Sequence, residues 1–277
     1  MRLWLLLLAT VVACGDGRRV TRPGGIVDDF GDTVPVGLAA RRIASLNPTT
    51  TELLFAMGDG GRLVGRTHWD NYPPEAAAVP DLGNGLRPNI EAVLAAHPDL
   101  VLLYASADNR STALKLHELG VATLSVKVDH IADFAREARL LGRVLGDSAA
   151  AATVVDSVQR TLDRVRAATA PLPHPTVFWV VWESPLMAVG GGSFLDELIT
   201  IAGGTNIYGA MSAPSPVVSR EDVMSHHPDV IFASPAAAKE WTGRVLVPDT
   251  ALIGHPSVRL GEAAVSLANL LHPGLLK

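Results

Sequence analysis

The sequence is short of several features, and each shortage excludes a class of protein. Its 277 residues include one cysteine, Cys14, so no intrachain disulfide can form. The net charge is −5 and no block of basic residues occurs, which argues against a nucleic-acid partner. The sequence lacks three common catalytic motifs: a Gly-x-Ser-x-Gly elbow, a phosphate loop and a Cys/His pair. We therefore expect that the protein is not an enzyme. Aromatic residues make up only 5% of the chain, so each one is informative about a binding surface.

Long hydrophobic runs are scarce as well. The apolar run Leu3–Ala13 carries no charge and is shorter than the roughly 20 residues that a membrane-spanning helix needs. It fits a secretory signal peptide over residues 1–13. The run closes with Val11-Val12-Ala13-Cys14, which resembles a bacterial lipobox, so we expect lipid on Cys14 and an extracytoplasmic location. The alternative is an ordinary cleaved signal with an incidental cysteine. Residues 14–40 then form a tether and a small hairpin.

One segment of the sequence occurs twice. Residues 89–102 read NIEAVLAAHPDLVL and residues 219–232 read SREDVMSHHPDVIF. Each copy begins with a helix-capping residue, places a glutamate two positions later, and ends its helix at His-Pro-Asp, because proline cannot continue a helix. A short apolar strand follows in both copies. The repeat therefore predicts two similar α/β lobes.

The order of predicted elements gives the domain organisation. Strands and helices alternate on both sides of a long segment, Ser148–Ala168, whose apolar residues recur at helical spacing. We predict an α/β protein with two Rossmann-like lobes of mainly parallel sheet, joined by this backbone helix, with a ligand cleft between them. The predicted ranges are 41–146 for the N-terminal lobe, 147–170 for the helix and 171–277 for the C-terminal lobe.

Six motifs together resemble one family, the substrate-binding proteins of ABC importers with a helical backbone, and most closely its cobalamin-binding members. The motifs are RIASLNPTTTEL at 42–53, DNYPP at 70–74, NIE at 89–91, HPDLV at 97–101, GGTNI at 203–207 and VSRE at 218–221. The resemblance implies a lipid-anchored solute-binding protein, with no cofactor of its own, that captures cobalamin or another corrinoid. Its implied partner is an ABC permease with its ATPase subunits.

The resemblance also implies the ligand-binding residues. Trp69, Tyr104 and Trp182 fall near the carboxyl ends of predicted strands, where parallel α/β proteins bind ligands. We expect these three aromatic side chains to line the cleft, and the adjacent His68 to reach the cobalt or the corrin amides. The alternative interpretation places the two tryptophans in the core and His68 on the surface.

Glu91 and Glu221 occupy matching positions in the two copies of the repeat. A single glutamate near a helix N-terminus is explained by the helix dipole. Two at equivalent places, one in each lobe, match the acidic docking residues by which this family meets arginines on the permease.

Three other functions remain open at this point. The ligand could be an iron siderophore or haem, although residues 83–88 lack the tyrosine that is typical of the haem-binding branch. A zinc or manganese binding protein would need three or four converging ligands, for which the sequence offers only His68 with Glu183. A hydrolase would use Asp70 or Glu183 as its base.

Overall fold

The computed structural model describes residues 25–276, so the predicted signal peptide and Cys14 lie outside the described residues. The N-terminal lobe is a four-stranded parallel sheet in the order β4-β3-β5-β6, preceded by an antiparallel hairpin. Its elements are β1 Gly25–Val27, β2 Thr33–Pro35, β3 Ile43–Leu46, α1 Pro48–Met57, β4 Leu63–Gly65, α2 Ile90–Ala95, β5 Leu100–Tyr104, α3 Ala107–Glu118, β6 Ala122–Val126 and α4 Ile131–Leu145, with 3₁₀ turns at Gly60–Arg62 and Pro74–Ala78.

The C-terminal lobe follows a 22-residue helix, α5 Ser148–Thr169. Its sheet has the order β11-β10-β7-β8, with β9 also paired to β7. Only β8 runs antiparallel, because β7 continues past the sheet and turns back as a hairpin that the sequence did not predict. The elements are β7 Thr176–Glu183, β8 Leu186–Ala188, α6 Phe194–Ile201, β9 Thr205–Asn206, α7 Arg220–Ser225, β10 Val230–Phe232, β11 Val245–Leu246, α8 Thr250–Ile253 and α9 Leu260–Leu271, with a 3₁₀ turn at Ala237–Glu240.

The two lobes repeat one strand topology. Each opens with a central strand, β3 or β7, which pairs in parallel with the strand after the repeated helix, β5 or β10. In both copies the histidine before the proline has a left-handed φ of 48°. The aspartate of each motif then accepts backbone hydrogen bonds from the start of the central strand: Asp99 from Arg42, and Asp229 from Thr176. His-Pro-Asp therefore ends a helix and also fixes the register of the neighbouring strand.

Helix α5 connects the lobes by packing against elements of both. It contacts α1 and α4 on the N-terminal side and α6 and α9 on the C-terminal side. One apolar core runs through this helix and beneath both sheets, while the opposite face of each sheet is covered by its repeated helix, through Val93 or Val223. The predicted two-lobed α/β fold with a long linking helix is confirmed. No helix within residues 25–276 is long and apolar enough to cross a membrane.

Candidate functional site

A cavity of about 610 Å³ opens between the carboxyl-edge loops of the N-terminal sheet and the chain around α8. Its volume falls within the roughly 300–1,000 Å³ that is usual for small-molecule sites. The N-terminal lobe contributes the ends of β3 and β5, the start of α1 and two loops, and the C-terminal lobe contributes the segment 250–259. The lining residues are Leu46, Asn47, Pro48, Glu52, Thr67, Trp69, Asn71, Tyr72, Asn84, Gly85, Leu86, Tyr104, Thr250, Ala251, Gly254, His255 and Arg259.

Two of the predicted ligand residues, Trp69 and Tyr104, lie in this cavity. Trp69 is 62% exposed, which excludes the interpretation of this side chain as core. Its loop is held by the buried Asp70, whose carboxylate accepts hydrogen bonds from the hydroxyl groups of Thr51 and Thr67. Burial raises the pKa of Asp70 above its ordinary value. These contacts give Asp70 a structural role in positioning the Trp69 loop.

Tyr104 ends β5 and faces the cavity with a fixed side chain. Its hydroxyl donates a hydrogen bond of 2.6 Å to the Asp129 carboxylate. Desolvation, together with this bond and the negative charge beside it, raises the pKa of the Tyr104 phenol well above its usual range. The ring is therefore a neutral, rigid surface for an apolar or flat ligand.

The other two predicted residues, His68 and Trp182, are not among the residues that line the cavity. His68 is exposed and packs on the Trp69 ring at 4.6 Å between centroids. Trp182 extends from the end of β7, is 62% exposed, and its indole nitrogen donates to the Ser184 carbonyl at 3.0 Å. The core interpretation therefore fails for Trp182 as well. Its role on the C-terminal wall of the cleft, like that of His68, stays a prediction.

No local sequence pattern predicted three contacts that join the two lobes beside the cavity. His255 Nε2 lies 3.0 Å from the Glu52 carboxylate, although the two residues are 203 positions apart. Thr49 donates to the Pro256 carbonyl at 2.9 Å, and the Arg259 guanidinium lies 4.4 Å above the Tyr72 ring. All three contacts join the N-terminal lobe to the segment 254–259. No local pattern distinguishes these residues, so only their pairing in space identifies them.

Three residues that line this cavity each have one buried side-chain polar atom without a hydrogen-bond partner among the described residues. They are the Asn47 amide nitrogen, one Glu52 carboxylate oxygen and the Arg259 Nε. Unpaired buried polar groups are costly, so sites that contain them are usually completed by a ligand or water. The three comprise two donor atoms and one acceptor atom, and all three are closed off from solvent in this structure.

Gly85 brings the backbone itself to the cavity wall. A side-chain β-carbon at this position would lie 2.2 Å from the Leu46 carbonyl oxygen. Any larger residue would therefore have to displace the end of β3. The tract Gly190–Gly192, in contrast, packs on the segment 209–213 and does not line the cavity.

The residues named for the other functions do not assemble into a second site. Within residues 25–276 no three His, Cys, Asp or Glu side chains form a cluster that could hold a metal ion. Glu183 lies at the end of β7 with Ser234 Oγ at 3.4 Å from its carboxylate, and it is not among the residues that line the cavity.

The two repeated glutamates are both exposed and lie outside the cavity lining. Glu91 follows the N-cap Asn89 of α2, and Glu221 follows the N-cap Ser219 of α7. Backbone hydrogen bonding at the helix start, with the Ser219 hydroxyl, lowers the pKa of Glu221. Both are therefore placed as surface carboxylates at equivalent helix starts, and their docking role stays a prediction.

Comparison with known proteins gives one consistent family. A family model described as periplasmic binding protein matches residues 43–246. A vitamin B12-binding protein of Yersinia pestis (strain Pestoides F) is 28% identical over 220 residues, which cover 77% of this chain and 79% of that protein. The fold matches the periplasmic vitamin B12 binding protein of Vibrio cholerae with a TM-score of 0.72 at 24% identity, covering 84% of this chain and 97% of the other. It also matches a periplasmic heme-binding protein of Roseiflexus sp. RS-1 with a TM-score of 0.75 at 22% identity, covering 85% and 99%.

Proposed function

Since this chain belongs to the periplasmic binding protein family, we propose that it captures cobalamin or a related corrinoid outside the cytoplasm and delivers it to an ABC permease. The relatives that are 28% identical carry vitamin B12-binding names, which supports the ligand class. Proteins of this family bind small molecules and work with ABC permeases, so a catalytic role is not proposed.

The observation that carries the choice of ligand is the composition of the cavity wall. Trp69 and Tyr104 offer aromatic surface, and the neutral amide residues Asn47, Asn71 and Asn84 also line the cavity. A corrinoid presents a flat macrocycle surrounded by neutral carboxamide groups, each with one acceptor oxygen and two N–H donors. Amide side chains can both donate hydrogen bonds to such groups and accept hydrogen bonds from them.

Haem is the second candidate, because heme-binding proteins share this fold. Haem carries carboxylate groups, which only accept hydrogen bonds when ionised. The lining contains one arginine, Arg259, and one carboxylate, Glu52, so ionised groups of haem would meet a like charge there as well as an opposite one. The wall therefore favours the amide-bearing macrocycle.

Delivery requires contact with the membrane and with the permease. We expect lipid on Cys14 to tether the protein, and Glu91 and Glu221 to meet arginines on a two-fold permease. Exposed charges of this kind mainly set orientation and association rate.

The decisive test is isothermal titration calorimetry with cyanocobalamin, cobinamide, haem and a ferric siderophore. We expect saturable binding of both corrinoids and weaker or no binding of the other two. Tight binding of haem or the siderophore with no corrinoid binding would replace the proposed ligand by the alternative. Binding of none of the four would refute the ligand class.

A further inference from the structure

We infer that Asp129 is a positioning residue for ligand binding, because its carboxylate holds the Tyr104 ring in place at the cavity wall. This inference rests on the proposed function, in which Tyr104 contacts the ligand. It deepens that function by naming a residue that acts on the ligand through another side chain. Asp129 itself is not among the residues that line the cavity.

Asp129 lies in the short loop between β6 and α4, and each of its polar groups has a partner. One carboxylate oxygen accepts the hydrogen bond of 2.6 Å from the Tyr104 hydroxyl, and the other lies 2.9 Å from the Lys127 ammonium group. The backbone N–H of Asp129 donates to the Asp133 carboxylate at 3.1 Å, and its backbone carbonyl accepts from the Phe194 N–H at 3.0 Å. These four contacts fix Asp129, so it can serve as a rigid support for the tyrosine.

The C-terminal lobe also holds the loop that carries Asp129. Phe194 is the first residue of α6, and Glu197 lies in the first turn of the same helix. One Glu197 carboxylate oxygen lies 2.6 Å from His130 Nδ1, and the other accepts a hydrogen bond of 3.2 Å from the Ile131 N–H at the start of α4. A carboxylate is stabilised at a helix N-terminus by the unpaired N–H groups and by the helix dipole. The support for the tyrosine ring is therefore built by both lobes, at the junction between them.

A fixed ring favours binding, because a side chain that is free to rotate loses that freedom when a ligand orders it. The hydrogen bond to Asp129 occupies the Tyr104 hydroxyl and orders the ring before the ligand arrives. Hydrogen bonds to an ionised acceptor are among the stronger ones in proteins, so this one can hold the ring against rotation. Ordering one side chain in advance corresponds to an affinity that is roughly 2- to 10-fold higher.

The experiment is a double-mutant cycle between Asp129 and Tyr104, with the affinity for cyanocobalamin measured by calorimetry. Asp129→Ala removes the acceptor, and Tyr104→Phe keeps the ring but removes the donor. Each change alone should weaken binding by roughly 2- to 10-fold. In the Tyr104→Phe background, Asp129→Ala should change the affinity by less than about twofold, because the bond through which it acts is already absent. Asp129→Asn, whose amide oxygen can still accept the hydrogen bond, should bind within about twofold of the wild type.

A matched control separates the positioning of the ring from folding. Tyr208 makes the same kind of bond in the C-terminal lobe, with its hydroxyl 2.6 Å from the Asp222 carboxylate, and neither residue is among those that line the cavity. Asp222→Ala should therefore lower the melting temperature, as Asp129→Ala does, but leave the affinity for cyanocobalamin unchanged. Circular dichroism confirms that each variant is folded.

Unchanged affinity in both Asp129→Ala and Tyr104→Phe would overturn the inference and leave the proposed function standing. An equal loss of affinity on Asp129→Ala in both backgrounds would overturn it as well, because Asp129 would then not act through Tyr104. The same loss in Asp222→Ala would assign the effect to folding and overturn it too. If Asp129→Ala does not fold, unchanged affinity in Tyr104→Phe is sufficient to overturn the inference. Wild-type protein that binds neither corrinoid nor haem would refute the proposed function, and this inference with it.

Discussion

The buried glutamate of α4 gives a quantitative prediction about stability. Glu137 is fully buried on the inner face of α4, beside Phe134, Ala138 and Leu141, and neither carboxylate oxygen has a partner within the described chain. Desolvation raises the pKa of Glu137 to about 8. The negative charges of Asp29 and Asp133 also raise this pKa, whereas the positive charge of Arg136 lowers it. The folded protein therefore keeps a proton that the unfolded chain releases near pH 4.5.

The sign and size of the effect follow from proton linkage. Between pH 4.5 and pH 8 the folded state binds one proton more at Glu137 than the unfolded state does. The free energy of unfolding therefore falls as pH rises, by about 1.4 kcal/mol per pH unit. The free energy of unfolding is therefore lower by about 3 kcal/mol at pH 7 than at pH 4, where Glu137 is protonated in both the folded and the unfolded state.

The test replaces Glu137 with methionine, an apolar residue of similar length. Glu137→Met should raise the free energy of unfolding at pH 7 by about 3 kcal/mol, or the melting temperature by about 6–12 °C for a chain of this size. Urea unfolding of both proteins at pH 5, 6, 7 and 8 measures the difference, which should shrink toward pH 5. Glu262→Met, at an exposed site on α9, is the matched control and should leave the pH dependence unchanged. Parallel stability curves for wild type and Glu137→Met would refute the argument.

Three further predictions concern the cleft, the docking surface and the anchor. Trp69→Ala should weaken corrinoid binding roughly 5- to 150-fold, since a stacked ring contributes about 1–3 kcal/mol. Calorimetry measures this affinity, and Trp182→Ala in the same assay tests the opposite wall. An unchanged affinity in either variant would remove the substituted tryptophan from the site. Replacing Glu91 and Glu221 together by alanine should leave ligand affinity intact but reduce uptake. The reduction should be smaller at high salt, because exposed charges are screened beyond about 8–10 Å. A parallel loss of ligand binding would assign the two glutamates to the site or the fold. Cys14→Ser should release the protein from the membrane fraction of a host that processes the wild type, and a variant that stays membrane-bound would contradict the lipid anchor.

The sequence alone determined the main helices and strands and their order, apart from the short strands β8, β9 and β11 and helix α8. The capping residues Asn89 and Ser219, the prolines of His-Pro-Asp and the helical spacing within 148–168 act over a few neighbouring residues, so they can be recognised in one dimension. These signals were sufficient to predict two related lobes and the helix that joins them. They also placed Trp69 and Tyr104 at strand ends, where the cavity lies.

Only the tertiary structure decided which side chains share that cavity. Glu52 and His255 lie 203 positions apart and meet because α1 packs near the chain that leads into α9, a contact that no periodicity encodes. The same applies to Arg259 over Tyr72. Trp182 resembles the other two aromatic residues in sequence, yet it lies in the β7–β8 hairpin and is not among the residues that line the cavity. Local patterns fix each element, whereas the packing of elements distant in sequence fixes what the site contains.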